Sequence, residues 1–274
     1  MDLSTRKAWF DRLPHTLGKL ELQWSITIHG PFPSETAFVA AVTLADGTAA
    51  VLKIGMPHME ADHELAGLLF WNGDPTVRVL KSDTESNAIL LERCYPGSSL
   101  DALPEEEQDE VFAGLLRKLW VLPEPPHPFR PLAQMLKYWS DETMADIHHW
   151  PDSGMVRDGL RLFQELPSSA PNNALLATDL HAGNVLRAQR KPWLVIDPKP
   201  FIGDPAYDAT QHLFNCTARM RAAPFDTIHR FADLLEVDAE RVRLWMFARA
   251  AAEPRARWDN EESIALSRAL ARGL

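Results

Sequence analysis

The sequence predicts an α+β fold in two lobes, a small antiparallel sheet carrying one helix followed by a larger and mainly helical lobe. Three observations predict it. Strand-like apolar runs crowd the first third of the chain, a single stretch of helical spacing interrupts them, and past Tyr95-Pro96-Gly97 the spacing is mainly helical. The implied domains are 1–94 and 95–274, and 274 residues, 46% of them apolar, suffice for each to bury its own core.

In the first lobe, Trp24 to Gly30 and Thr36 to Leu44 read as strands, Asp46-Gly47 as a hairpin turn, and Thr48 to Ile54 as the third strand. Met59 to Trp71 has helical spacing, with Leu65, Leu68 and Leu69 able to share a face, and Val77 to Lys81 and Ala88 to Glu92 supply two more strands. The second lobe begins with a helix over Pro104 to Leu122, striped by Phe112, Leu115, Leu116 and Leu119, with Pro104 in its first turn. A proline-rich connector, Pro123 to Pro131, leads to helical segments near 132–149 and 154–166. Short apolar runs at Ala174 to Ala177, Val185 to Ala188 and Trp193 to Ile196 follow, and after the Asp204-Pro205 cap pair the chain is again helical.

The formal charge of −10 argues against nucleic-acid or anionic-membrane partners, which are held by surplus Lys and Arg, and suits a cationic small-molecule substrate. No stretch has the ~18 uninterrupted apolar residues of a membrane span, and the N-terminal residues carry no apolar signal region, so the expected location is cytoplasmic. Cys94 and Cys216 stand far apart without metal-ligand spacing, as expected of reduced, partly buried thiols.

The chemistry concentrates in Asp179-Leu180-His181-Ala182-Gly183-Asn184, followed by Trp193-Leu194-Val195-Ile196-Asp197. Phosphoryl transfer asks little covalent help of a protein, but it needs a carboxylate at the nucleophile and metal ions on the phosphates. Asp179 would receive or orient a hydroxyl proton, while the Asn184 amide oxygen and the Asp197 carboxylate would hold Mg2+, which prefers hard oxygen ligands. The five-residue step from Asp179 to Asn184 matches the aspartate-to-asparagine step of the kinase catalytic loop, and Asp197 ends an apolar strand.

TDLHAGNVL, with VIDPKPFIGDPAYD after it, resembles the aminoglycoside phosphotransferase superfamily and especially its streptomycin 6-kinase and hydroxyurea-kinase branch. AAVLKIG is similar to the family's third-strand lysine segment, HELAGLLFW to its following helix and AILLERC to its hinge strand. The resemblance implies a bilobal, protein-kinase-like fold with ATP in the cleft between lobes and a hinge near 92–97. It places Lys53 on the ATP phosphates and adenine on the backbone of Glu92 to Cys94. The partner of Lys53 is Glu64, with Glu60 one turn earlier as the alternative.

The sequence departs from the family pattern in three places. Ala177-Thr178 replaces the usual His-Gly before the catalytic aspartate, Pro198-Lys199 follows the metal aspartate in place of Phe-Gly, which resembles this branch but departs from protein kinases, and Gly30-Pro31-Phe32-Pro33-Ser34-Glu35 stands where a glycine-rich loop would cover the phosphates. Backbone amides there, or Ser34, would do that work.

Plainer roles are expected elsewhere. His181 is structural or substrate-orienting because Asp179 already fills the base role, and of Asp204 and Asp208 one caps a helix while the other hydrogen-bonds the catalytic loop. Asp146, His148 and His149 form a solvated helix end, the Glu105 to Glu110 run complements a helix dipole, and Trp245 belongs to the core. The expected activity is ATP-dependent phosphorylation of a hydroxyl on an aminoglycoside of the streptomycin type. Hydroxyurea, a metabolite alcohol, or a catalytically silent nucleotide-binding role are the alternatives. Without an activation loop or A-P-E segment after Asp197, a protein kinase is disfavoured.

Overall fold

The computed structural model describes residues 3–59, 62–254 and 260–272. In chain order the first elements are α1 (Leu3–Trp24), β1 (Ile26–Phe32), β2 (Ala37–Leu44), β3 (Ala49–Gly55), α2 (Glu64–Trp71), β4 (Val79–Asp83), β5 (Ala88–Glu92), α3 (Glu105–Leu119), α4 (Leu132–Ala145) and α5 (Ser153–Ser168). Then come β6 (Ala174–Leu176), β7 (Val185–Arg187), β8 (Trp193–Val195), β9 (Phe201–Gly203), α6 (Pro205–Asn215), α7 (Thr217–Ala222), α8 (Pro224–Leu235), α9 (Ala239–Ala252) and α10 (Glu261–Leu270). The chain divides into two compact units, Met1–Ser99 with Leu186–Lys199, and Leu100–Val185 with Pro200–Leu274. No described helix is long and apolar enough to cross a membrane.

In the first unit, five antiparallel strands pair in the order β1-β2-β3-β5-β4. The Asp46-Gly47 turn is as expected, with Gly47 at φ 85° and the Leu44 amide donating to the Thr48 carbonyl. Because side chains alternate along a strand, Ala50, Leu52, Ile54, Ala88 and Leu90 bury one sheet face beneath Trp9, Leu20 and Trp24 of α1. Ile89, Leu91 and Val51 face the other side, against Leu68 of α2 and Leu194 of β8.

The structure corrects the sequence reading of this unit in three places. Helix α1 was not anticipated, although Trp9, Leu13, Leu17, Leu20 and Trp24 recur at three- and four-residue steps. Pro14 inside it, normally a helix breaker, obscures that stripe. Pro31 and Phe32 are strand rather than loop, since a register shift between Ile28 and Pro31 accommodates the proline on the sheet's edge strand. The helix expected from Met59 begins at Glu64 among the described residues, because His63 adopts the left-handed conformation at φ 71°.

The second unit is helical, with a two-stranded sheet of β6 and β9. Phe112, Leu115, Leu116 and Leu119 form the buried stripe of α3 as expected. The helix stops at Leu119 rather than Leu122, which precedes Pro123 and is thereby biased away from helical geometry. Helix α5 lies close enough to α9 that a Cβ on Gly159 would stand 2.9 Å from the Ala252 Cβ. Trp245 on α9 is fully buried and donates to Asp204 Oδ2 at 2.6 Å, so it belongs to the core. The acidic run of α3 is only partly a solvated face, because Asp109 within it is fully buried.

Candidate functional site

Strand alternation decides what Lys53 meets. With Leu52 and Ile54 turned to the α1 face, Lys53 points to the face covered by α2 and β8. There its ammonium donates to Glu64 Oε1 at 2.6 Å and to Asp197 Oδ1 at 2.5 Å. Glu64 opens α2 and Asp197 lies just beyond β8. The Lys199 ammonium donates to the same Asp197 Oδ1. Lys53, Glu64 and Lys199 are buried, whereas the Asp197 side chain keeps 30% of its surface exposed. Glu60, the other candidate partner of Lys53, lies outside the described residues.

Burial opposes the Lys53 charge, but the Glu64 and Asp197 carboxylates more than offset it and raise its pKa above the ordinary lysine value. Burial equally opposes the Asp197 carboxylate, and the two lysines hold its pKa below the usual range. Asp197 sits at φ 51° immediately before Pro198, a conformation disfavoured for a non-glycine residue and more so ahead of proline. Two ammonium partners hold it there, at a conformational cost on the order of 1 kcal/mol.

The remaining expected nucleotide residues are spread through the same unit. Ser34 is exposed in the short loop 33–36 between β1 and β2, and no described contact ties it to the Lys53 cluster. Pro31 and Pro33 lack amide hydrogens, so the amides of Ser34, Glu35 and Thr36 are what this loop can offer a phosphate. The Glu92 side chain is committed to architecture, accepting from the Arg78 amide at 2.7 Å and from Arg190 Nε at 3.0 Å. Arg190, at the turn between β7 and β8, also donates to the Gly73 and Thr76 carbonyls and so anchors that hairpin to the sheet. Burial opposes the Glu92 charge, yet Arg190 and the Arg78 amide keep its pKa below the ordinary value. The Cys94 thiol is pushed up to about 11, first by burial and then by Glu92, and is therefore neutral. Gly97 follows at φ 78°, where a Cβ would stand 2.9 Å from the Cys94 carbonyl oxygen, so this turn requires glycine.

In the second unit, the chain leaves β6 through Ala177, Thr178 and Asp179. Asp208 on α6 braces this turn, accepting from the Ala177 amide at 2.9 Å, the Thr178 amide at 2.8 Å and Trp120 Nε1 at 3.0 Å. A carboxylate from another helix thus supports the loop in a chain without the family's bracing histidine. Thr178 stands at φ 49° where the family pattern has glycine, which explains what glycine does there. Asp204 caps α6 through the Ala206 amide, so the two aspartates of GDPAYD divide the roles as expected.

Asn184 Nδ2 donates to the Asp179 carbonyl at 3.1 Å. A carbonyl only accepts, so the amide nitrogen is held there and the oxygen is left as the atom able to hold a cation. On Asp197 both ammonium bonds fall on Oδ1, leaving Oδ2 for a metal. Each residue therefore offers the hard oxygen donor that Mg2+ requires. His181 Nδ1 accepts from the Gly183 amide at 3.2 Å, a structural role that leaves the proton on Nε2.

Fully buried Asp208 has its carboxyl raised to about 6 by burial, in spite of its three N–H donors. A raised folded-state pKa gives stability that is complete below the unfolded value near 3.8 and is lost as pH rises through about 6. The stability difference between wild type and Asp208→Asn is accordingly expected to shrink by roughly 2 kcal/mol from pH 4 to pH 6. Urea unfolding of both proteins at each pH measures it.

A model of the aminoglycoside/hydroxyurea antibiotic resistance kinase family matches residues 23–262. The chain belongs to that family. It is 34% identical to streptomycin 6-kinase of Streptomyces griseus, over 94% of this chain and 86% of that protein. It is 32% identical to hydroxyurea phosphotransferase of Kitasatospora aureofaciens, over 89% of this chain and 72% of that protein. Choline kinase LicA from Streptococcus pneumoniae superimposes with a TM-score of 0.63 at 12% identity, covering 93% of this chain and 97% of that one, and shows the protein-kinase-like fold. This kinase is therefore an ATP-using phosphotransferase acting on a hydroxyl of a small molecule.

The structure brings together Lys53, Glu64 and Asp197 in one unit and Asp179 with Asn184 in the other. It leaves Ser34 apart and occupies the Glu92 side chain. Sequence reasoning missed Arg190 and gave no role to Lys199, although Lys199 lies two residues from Asp197.

Proposed function

We propose that the kinase transfers the γ-phosphoryl group of ATP to a hydroxyl of a streptomycin-type aminoglycoside in the presence of Mg2+. The reading of the acceptor is carried by the likeness to the Streptomyces griseus streptomycin 6-kinase across nearly the whole chain. The net charge of −10 suits a polycationic acceptor.

Each role follows from the chemistry of the residue. Lys53, positioned by Glu64, holds phosphate oxygens of ATP, and the backbone of Glu92 to Cys94 takes the adenine edge. Ser34, with the amides beside it, covers the phosphates from the loop between β1 and β2. Asp197 and Asn184 supply the oxygen donors for Mg2+, which neutralises charge on the phosphates when bound. Asp179 orients the acceptor hydroxyl and takes its proton. The hydroxyl oxygen bonds to the γ-phosphorus as the bond from that phosphorus to the β,γ-bridging oxygen breaks, and ADP leaves with that electron pair.

Magnesium-dependent ATP consumption across streptomycin, other aminoglycosides and hydroxyurea tests the acceptor. Turnover with streptomycin well above the rest is expected. Preference for hydroxyurea would favour the second reading, which the Kitasatospora aureofaciens relative supports. Firm ATP binding with no turnover on any acceptor would point to a non-catalytic role.

A further inference from the structure

Beyond these roles, we propose that Lys199 is a second phosphate-holding cation of the nucleotide site, which makes the first unit grip a nucleotide triphosphate with reduced dependence on magnesium. The proposal rests on the nucleotide-site reading above and adds a residue to it. Lys53 and Lys199, both buried, converge on a single oxygen of Asp197. Lys53 with Glu64 and Asp197 would carry a net charge of −1, a cluster that invites a cation. Lys199 brings the formal charge of the cluster to zero.

Lys53 divides its charge between Glu64 and Asp197, so Lys199 supplies the second ammonium on Asp197 Oδ1. Lys199 is joined to Asp197 through Pro198, whose fixed φ limits how far the segment can swing, so its ammonium stays close to anything that binds Asp197. A divalent cation on Asp197 adds two positive charges beside two ammonium groups. The anions that arrive with it are the phosphate oxygens of the nucleotide, and Lys53 retains Glu64 while Lys199 turns to them. In a metal-free complex, Lys199 supplies part of the positive charge that the metal would otherwise provide.

Equilibrium binding of adenosine, ADP and ATP to wild type, Lys199→Met and Lys199→Arg, in EDTA and in excess magnesium, tests this. Lys199→Met is expected to weaken metal-free ATP binding at least about tenfold, with ADP affected less and adenosine unchanged. Lys199→Arg should keep most of the ATP affinity. Without nucleotide, Lys199→Met should bind magnesium more tightly than wild type, because a competing cation is gone. Unchanged ATP binding in Lys199→Met, or equal weakening of adenosine and ATP, would overturn the proposal, since a phosphate contact acts on the phosphorylated ligands alone. A wild type that binds neither adenosine nor ATP would overturn the nucleotide-site reading itself.

Discussion

Asp197→Asn is expected to lower turnover by about 10³-fold while leaving the first unit folded, because it removes the negative charge of the proposed metal ligand and preserves an oxygen for Lys53 and Lys199. The choice of asparagine matters. Alanine would strip both buried ammonium groups of this acceptor at once, and breaking a buried ion pair by removing one partner costs on the order of 3–5 kcal/mol. Loss of activity in Asp197→Ala would then mix chemistry with unfolding. In Asp197→Asn the two separate, with kcat falling steeply, the circular dichroism spectrum retained and more magnesium needed for half-maximal rate. Turnover within tenfold of wild type would remove Asp197 from the metal site.

A large effect on stability is expected in the second unit. Asp109 on α3 is fully buried and accepts from His212 Nε2 at 2.7 Å, Arg219 Nη2 at 2.8 Å and Arg230 Nε at 3.1 Å. Burial works against the carboxylate, and these three donors outweigh it, holding its pKa at about 2. Its contribution to stability is present above the ordinary carboxyl value of 3.8 and is lost as pH falls toward 2. Cys216, whose thiol burial pushes up to about 12, lies 3.6 Å from His212 Nε2. Asp109, His212 and Cys216 bring potential metal-ligand atoms within 4.8 Å of one another, but two guanidinium groups already neutralise the carboxylate and disfavour a further cation. In Asp109→Ala, Arg219 and Arg230 can turn to water while buried His212 cannot. A loss of about 3 kcal/mol and a fall in Tm of roughly 6–12 °C are expected, read by thermal unfolding at neutral pH. Asp109→Asn should lose less, and a Tm unchanged in Asp109→Ala would show that the network contributes nothing.

Asp109 also shows why part of this molecule was not legible in its sequence. Read locally it is one carboxylate in an acidic helix start, and its partners arrive from more than 100 residues away. Features confined to one segment were legible: the Asp-Gly hairpin, the α3 stripe, and the Asp179–Asn184 step with Asp197 beyond it. Lys53 could be read because strand alternation and the later motif agree. The choice between Glu64 and Glu60 could not, since it depends on where α2 begins, and that is governed by a left-handed His63 with no sequence signature of its own. Helix α1 carries a regular apolar stripe, yet Pro14 argues locally against the helix that packing of Trp9, Leu20 and Trp24 stabilises. Lys199 was visible beside Asp197, but only the convergence of two ammonium groups on one oxygen gives it a role.

The central claim is that Asp179 directs phosphoryl transfer to an acceptor hydroxyl. Its most direct test is the transfer of γ-labelled phosphoryl from ATP to streptomycin by wild type and by Asp179→Asn, at saturating magnesium and with nucleotide binding measured in parallel. Labelled streptomycin from wild type, with a rate 10²–10⁴-fold lower in the variant and nucleotide affinity unchanged, is the predicted result, the range being that of a lost general base. Equal transfer by the two proteins would contradict the account.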